Sequence, residues 1–249
     1  MIAHDQSIDQ TVDQSVDQSP VLAWQDTPLG AVPVARRFGD PYFSLDGGLA
    51  ETGHVFHAGN HLPGRFRPGF HVAELGFGTG LNLLATVALW QASGASGRFF
   101  YTSFEAYPMS ADQTALALRP FPQLAGLAET LVAALQRGVP RFALGPADVD
   151  LVIGDAQATL PLWPGRADAW YLDGFAPARN PDLWSDALLA GVAAHTAPQG
   201  SFATYTAAGH VRRGLQAAGF QVERSPGFGR KRHMTRGWLI DDDPDLRHP

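Results

Sequence analysis

Cysteine is absent from the 249 residues, which excludes a disulfide framework, a thiolate metal site and a thiol nucleophile. Long apolar runs are lacking too. The most extended, LNLLATVALW at Leu81–Trp90, falls short of the roughly 18 to 20 residues that span a bilayer, so no transmembrane helix is expected. The N-terminus has neither a basic segment nor an apolar one, so no secretory signal is read there and a cytoplasmic location is expected. Nine histidines are present, but none falls in an H-x-E or H-E-x-x-H cluster, and no metal is expected.

What is present is a hydrophobic fraction of 45% and a formal net charge of -6, and that charge is unevenly placed. Residues 1–20 carry four Asp and no Lys or Arg, and residues 241–249 carry four Asp and one Arg. Between these tails, 17 basic residues face 16 acidic ones. Thr206–Ile240 holds seven basic residues against the single acid Glu223, which fits either an anionic partner or a solvated face. The Asp-Gln-Ser repeats of residues 1–20 have too few apolar groups to offset ordering entropy, so that tail is expected to be disordered. Residues 241–249 form a second acidic tail.

From Pro33 to Phe66, short apolar runs punctuated by Asp-Pro, Asp-Gly-Gly and Gly-Asn predict hairpins, an antiparallel extension within residues 21–69. From Phe70 onward strands and helices alternate. Strands are predicted at 70–75, 98–105, 149–155, 167–173 and 201–206, with helices at 80–92, 110–118, 124–136, 181–195 and 207–218. Two further strands, 220–223 and 234–240, flank the basic loop. Such alternation predicts a mostly parallel, doubly wound α/β sheet in one domain over 21–240, its Rossmann-like core at 70–240.

Ligands of such sheets bind beyond the carboxyl ends of the strands. The first core strand ends in Glu74, Leu75, Gly76, Phe77, Gly78, Thr79 and Gly80 before a helix that opens with Leu81 and Asn82. Glycines at alternate positions let the backbone turn tightly, and the helix start supplies free N–H groups. A dinucleotide fingerprint would need glycine at Leu81, which disfavours a nicotinamide dehydrogenase. The E-x-G-x-G-x-G spacing resembles motif I of class I S-adenosylmethionine methyltransferases, although a purely structural turn would read the same. Glu105, 25 positions after Gly80, ends the second strand, where an acid can accept both ribose hydroxyl protons. Asp155 and Ala156 follow the third, as an adenine contact, a helix N-cap, or both. After the fourth, LDGFAPARNPDLW combines Asp-Gly, two prolines and Asn-Pro into a rigid turn that would project Asp173 toward the reacting centre, with Phe175 and Pro177 as an apolar wall.

ELGFGTGLNLL, SFEAYP, LDGFAPARNPDLW and GFGRKRHM, together with YFSLDGGLAET and GNHLPGRF, resemble the MnmD family of tRNA methyltransferases, equivalent to the N-terminal half of bifunctional MnmC. The resemblance runs from about Pro33 to Ile240. It implies methylation of 5-aminomethyl-2-thiouridine, the wobble uridine, to 5-methylaminomethyl-2-thiouridine with S-adenosylmethionine. Glu74, Gly76, Phe77, Gly78, Thr79, Gly80 and Asn82 would line the methionine part of that cofactor, Glu105 its ribose, and Asp155 and Ala156 its adenine end. Asp173, with Phe175 and Pro177, would face both the cofactor and the acceptor amine. Neither metal nor flavin is implied, and the oxidase activity of the bifunctional members is expected to be missing. The implied partner is the tRNA anticodon region, with no DNA, membrane or obligate protein partner. Its phosphates would meet Arg212, Arg213, Arg230, Lys231, Arg232 and His233, with Arg65 and Arg67 on the rim. The family often reads E-T-R where this chain has Glu51, Thr52 and Gly53, so no contact from that Arg carries over. A small-molecule N- or O-methyltransferase and a non-catalytic RNA-binding module remain the alternative readings.

Overall fold

Trp170 and Tyr171 are neighbours in sequence, and both are fully buried on opposite faces of one sheet. This is what a strand covered by helices on both sides requires. The structure, a computed structural model, describes residues 20–28, 30–45 and 47–240. The expectations for the two acidic tails fall outside these residues, Pro20 excepted.

Three short strands come first, β1 (Leu22–Thr27), β2 (Gly30–Ala35) and β3 (Asp40–Pro41), paired as a small antiparallel sheet. Helix α1 (Gly48–Thr52) follows and continues through a π-type turn at Gly53–His57 and a 3-10 turn at Ala58–Asn60. The core then runs β4 (His71–Leu75), α2 (Leu81–Ser93), β5 (Phe99–Glu105), α3 (Ala111–Leu118), α4 (Ala125–Gln136), β6 (Arg141–Leu144) and β7 (Ala147–Ile153). It continues with α5 (Ala156–Thr159), β8 (Ala167–Leu172), α6 (Asp186–Ala194), β9 (Thr196–Thr204), α7 (Gly209–Ala217), β10 (Phe220–Pro226) and β11 (His233–Leu239). The eight core strands lie in the order β10-β11-β9-β8-β4-β5-β7-β6. The five central strands are parallel, while β6, β11 and β10 are antiparallel to their neighbours. The Rossmann-like class expected from the alternation is therefore present, with a small antiparallel sheet before it. Among the described residues, no helix is long and apolar enough to cross a membrane.

Two local expectations are corrected. Hairpins were expected through Phe66, yet residues 48–60 are helical turns. Thr52, Val55, Phe56, Gly59 and Asn60 are all buried, and their spacing of three and four places them on one helical face. That face packs on the sheet, where a Cβ on Gly59 would come within 2.7 Å of the Ala203 Cβ. Strand β6 was not anticipated. Its four residues are joined to β7 by Gly145 and Pro146, and its inward residue, Leu144, carries too little pattern to be read alone.

Asn60, fully buried, fastens the helical turns to the sheet. Its amide donates to the carbonyls of Phe56 (2.9 Å) and Trp170 (3.3 Å), and its oxygen accepts from the Ser201 hydroxyl (2.6 Å). Removing it takes one hydrogen-bond partner from each of the Phe56 and Trp170 carbonyls and from the Ser201 hydroxyl. Asn60→Ala is expected to cost roughly 2 to 3 kcal/mol in urea unfolding; a loss below about 0.5 kcal/mol would show that the turns are held mainly by packing.

Candidate active site

Strand β4 is where the sheet order reverses, since β5 and β8 pair with it on opposite sides. Beyond its carboxyl end lies a cavity of about 700 Å³. One wall is built by the residues that follow five successive parallel strands: Gly76–Thr79 after β4, Glu105–Tyr107 after β5, Gly154–Ala156 after β7, Asp173–Ala176 after β8, and Tyr205 after β9. The facing wall comes from Arg37–Leu45, from Glu51 and Thr52 of α1, and from Arg230 and Lys231 in the β10–β11 loop.

The glycine turn is dictated by close approach. Gly76 has φ 92°, and a Cβ there would sit 2.4 Å from the backbone oxygen of Asp173, so only glycine lets the ends of β4 and β8 lie side by side. Gly80, with φ 77°, starts α2 against Leu131 and the Phe77 ring. The Glu105 carboxylate accepts from the backbone N–H groups of Gly78 (2.9 Å) and Tyr107 (2.7 Å), which fixes its direction at the cavity wall. Withdrawal from water raises its carboxyl above the usual range, and these N–H groups pull it back. Asp155 caps α5, accepting from the Gln157 N–H at 2.9 Å, and it also lines the cavity.

Asn82, in the first turn of α2, joins two carboxyl groups. Its amide nitrogen donates to Glu74 Oε1 (2.9 Å) and to Asp173 Oδ2 (2.7 Å), while its oxygen accepts from the Thr52 hydroxyl (2.7 Å). Glu74 also accepts from the Ser103 hydroxyl at 2.8 Å. Burial pushes the Glu74 carboxyl up to about 8, against the pull of the Asn82 hydrogen bond. Asp173 is raised to about 7 by burial, again opposed by Asn82; Glu51 raises it further and Lys231 lowers it. Tyr205 donates to the Gly174 carbonyl at 2.7 Å, and burial followed by Asp173 raises its hydroxyl far above the ordinary phenol range. The Lys231 ammonium lies 3.9 Å from the centre of the Tyr205 ring and 2.7 Å from Glu51 Oε1. Phe175 stacks on Phe38 at 4.7 Å and meets Tyr42 edge-on at 5.0 Å.

The cavity therefore gathers Gly76, Phe77, Gly78, Thr79, Asn82, Glu105, Asp155, Ala156, Asp173 and Phe175. Three expected residues stand elsewhere. Glu74 is wholly buried behind Asn82, because the alternation of β4 turns its side chain into the sheet interior. Gly80 lies under the turn against Leu131. Pro177 is buried outside the cavity lining, because the chain leaves the wall after Ala176. Of the basic residues, Arg230 and Lys231 reach the cavity; Arg232 and His233 follow them in the loop and at the start of β11, and Arg212 and Arg213 lie on α7. Arg65 and Arg67 are not on this rim. Both bond to Asp168 near the start of β8, at the opposite edge of the sheet, and both lie over the Phe70 ring. Tyr42 and Tyr205 are not named from the sequence, and Glu51 and Thr52 are named there only as the residues before Gly53. Tyr205 was findable as the first residue beyond a parallel strand, and the other three fall inside the run YFSLDGGLAET.

The raised carboxyl of Glu74 has a defined sign. The fold prefers its neutral form, so this contribution to stability is complete below about pH 4.5 and is lost as pH rises through about 8. The urea midpoint is expected to fall between pH 6 and 9, and to fall less in Glu74→Gln. Identical pH profiles for the two proteins would show that Glu74 is ionised in the fold at no cost.

Residues 123–240 match the family described as S-adenosyl-L-methionine-dependent methyltransferase. The chain is 46% identical over 236 residues to the tRNA 5-methylaminomethyl-2-thiouridine biosynthesis bifunctional protein MnmC of Caulobacter vibrioides, a match covering 92% of this chain and 39% of that protein. It is 44% identical over 229 residues to the protein of the same name from Chromobacterium violaceum, covering 88% and 34%. The chain thus spans well under half the length of these relatives. The crystal structure of MNMC2 from Aquifex aeolicus superposes with a TM-score of 0.75 at 23% identity, over 89% of this chain and 71% of that one, a likeness of fold. On these matches and the strand order above, the chain carries an MnmD-like, S-adenosyl-L-methionine-dependent methyltransferase domain.

Proposed function

We propose that the chain transfers a methyl group from S-adenosylmethionine to the aminomethyl nitrogen of the tRNA wobble uridine, converting 5-aminomethyl-2-thiouridine to 5-methylaminomethyl-2-thiouridine. The observation that carries this reading is Asp173, held by Asn82 beside the glycine turn and lining the same cavity as Lys231. The names of the relatives supply the substrate class.

The residues present fit the cofactor. Glu105, with both oxygens already oriented by backbone N–H groups, would hold the ribose hydroxyls; Asp155 and Ala156 would meet the adenine; and the Gly76–Thr79 turn, which lines the cavity, would meet the methionine end. When bound, S-adenosylmethionine supplies an electrophilic methyl group on a sulfonium. The protein's work is to present a neutral amine in line with it. Asp173 accepts an N–H of the acceptor, directs its lone pair at the methyl carbon, and stabilises or takes the proton that the nitrogen sheds as the new N–C bond forms. A carboxyl poised near 7 suits either role at neutral pH. Phe175, packed between Phe38 and Tyr42, keeps water from this side of the cavity. A wobble base reaches the cavity only by leaving the anticodon stack, and Arg230, Arg232 and Arg213 are assigned to the flanking phosphates. Lys231, paired with Glu51, belongs to the cavity wall.

The test is methyl transfer from labelled S-adenosylmethionine to bulk tRNA from a strain lacking the modification, followed by nucleoside analysis. Label is expected in 5-methylaminomethyl-2-thiouridine; turnover only on free amines or phenols would replace this reading with a small-molecule methyltransferase. Asp173→Asn should lower kcat by about 100-fold or more while calorimetry still detects cofactor binding. In the unmodified protein kcat/KM should rise with pH through about 7, where Asp173 loses its proton. Substituting Arg230 and Arg232 together by Ala should weaken tRNA binding and reduce the slope of log K against log salt by about 1 to 2. An unchanged slope would remove them from the interface.

A further inference from the structure

The amide of Asn82 can be oriented from its partners alone. Two carboxyl oxygens, Glu74 Oε1 and Asp173 Oδ2, lie 2.9 and 2.7 Å from the same amide atom, and the ionised Asp173 carboxylate, which can only accept, demands a donor there. That atom is therefore the nitrogen, and the amide oxygen faces the hydroxyl of Thr52 at 2.7 Å. Thr52 carries a single hydroxyl proton. Its alternative acceptor, the Gly48 carbonyl, is more distant at 3.2 Å, so the proton goes to Asn82. Thr52 is 3% and Asn82 7% exposed, which leaves little water to substitute for this bond. If the hydroxyl is lost, the amide oxygen is left without its donor, and turning the amide over to recover one would aim that oxygen at the Asp173 carboxylate. Helix α1 thus reaches the reacting centre twice in succession, through Glu51 to Lys231 and through Thr52 to Asn82.

We propose that Thr52 is a positioning residue for methyl transfer: its hydroxyl locks the Asn82 amide so that one NH2 group serves Glu74 and Asp173 together. The role rests on the reading of Asp173 as the acceptor-side carboxylate, but the lock itself is a property of the protein alone. Besides Glu74 and Asn82, Asp173 is faced by Glu51 of α1, by Lys231 of the β10–β11 loop, by Tyr205 after β9, and more distantly by Tyr101 of β5. Changing Thr52 to Val alters none of these charges and nearly preserves shape. Any change in the titration of Asp173 then reports the amide.

The experiment follows the Asp173 carboxyl by carbon NMR in the full chain, assigned with Asp173→Asn, and runs tRNA methylation in parallel. In Thr52→Val the Asp173 midpoint is expected to rise by about one unit, since a donor to the charged form is weakened. The kcat should drop about tenfold, while cofactor affinity stays within about threefold. Thr52→Ser, which keeps the hydroxyl, should restore both values. In an Asn82→Ala background, Thr52→Val should add no further shift, because the two residues act through one contact. An unmoved midpoint in Thr52→Val, equal impairment by Ser and Val, or additive shifts with Asn82→Ala would each overturn the proposal. A chain whose Asp173 titrates as expected across this series, yet which never labels tRNA, would uphold the lock and overturn the proposed function.

Discussion

The ends of β4 and β8 meet at a distance that only glycine permits. Gly76 passes so close to the Asp173 backbone oxygen that the glycine turn and the acidic turn become one surface. Everything around the cavity depends on that approach. It brings Asp173 within reach of Asn82 on the helix that the glycine turn launches, and it sets the turn after β4 beside the carboxylate that follows β8. A methyl donor over the first and an acceptor beside the second would then be neighbours without any movement of secondary structure.

Three carboxyl groups share this corner, and each is kept by different means. Glu105 is held by backbone N–H groups, Glu74 by side-chain donors in a fully buried site, and Asp173 by Asn82 with the opposing charges of Glu51 and Lys231 beyond. Burial raises all three, but the compensation differs. Glu105 is fixed in direction, Glu74 favours its neutral form up to about 8, and Asp173 sits close to the midpoint at which a proton is most easily exchanged.

The segment before the core closes the cavity from the side that the strand ends leave open. Phe38 and Tyr42 pack on Phe175, Asp40 accepts from the Ala176 N–H, and α1 delivers Glu51 and Thr52. The proposed acceptor side is thus assembled from three distant stretches: residues 38–52, the turn after β8, and the β10–β11 loop. Lys231, which charge counting groups with the other cations of residues 206–240, is drawn into this wall by Glu51 and the Tyr205 ring.

The sequence by itself determined the alternation of strands and helices, hence the parallel sheet, and placed Gly76, Gly78, Glu105, Asp155 and Asp173 at its carboxyl edge. These features are local: a short apolar run, a glycine that must adopt positive φ, an acid one step past a strand. Tertiary structure alone decided which residues face the cavity. Glu74 and Gly76 are two positions apart, yet one is buried behind Asn82 and the other lies on the wall, since strand alternation ends where the turn begins. Arg65 and Lys231 look alike in a charge count, but the chain carries one to the far edge of the sheet and the other to the cavity. Residues 48–60 read as hairpin punctuation, and became helical because burial of Thr52, Val55, Phe56 and Asn60 against a distant sheet outweighs the local preference of their glycines. A contact between residues a hundred positions apart leaves no mark on either stretch of sequence, and contacts of that kind bring the cavity walls together.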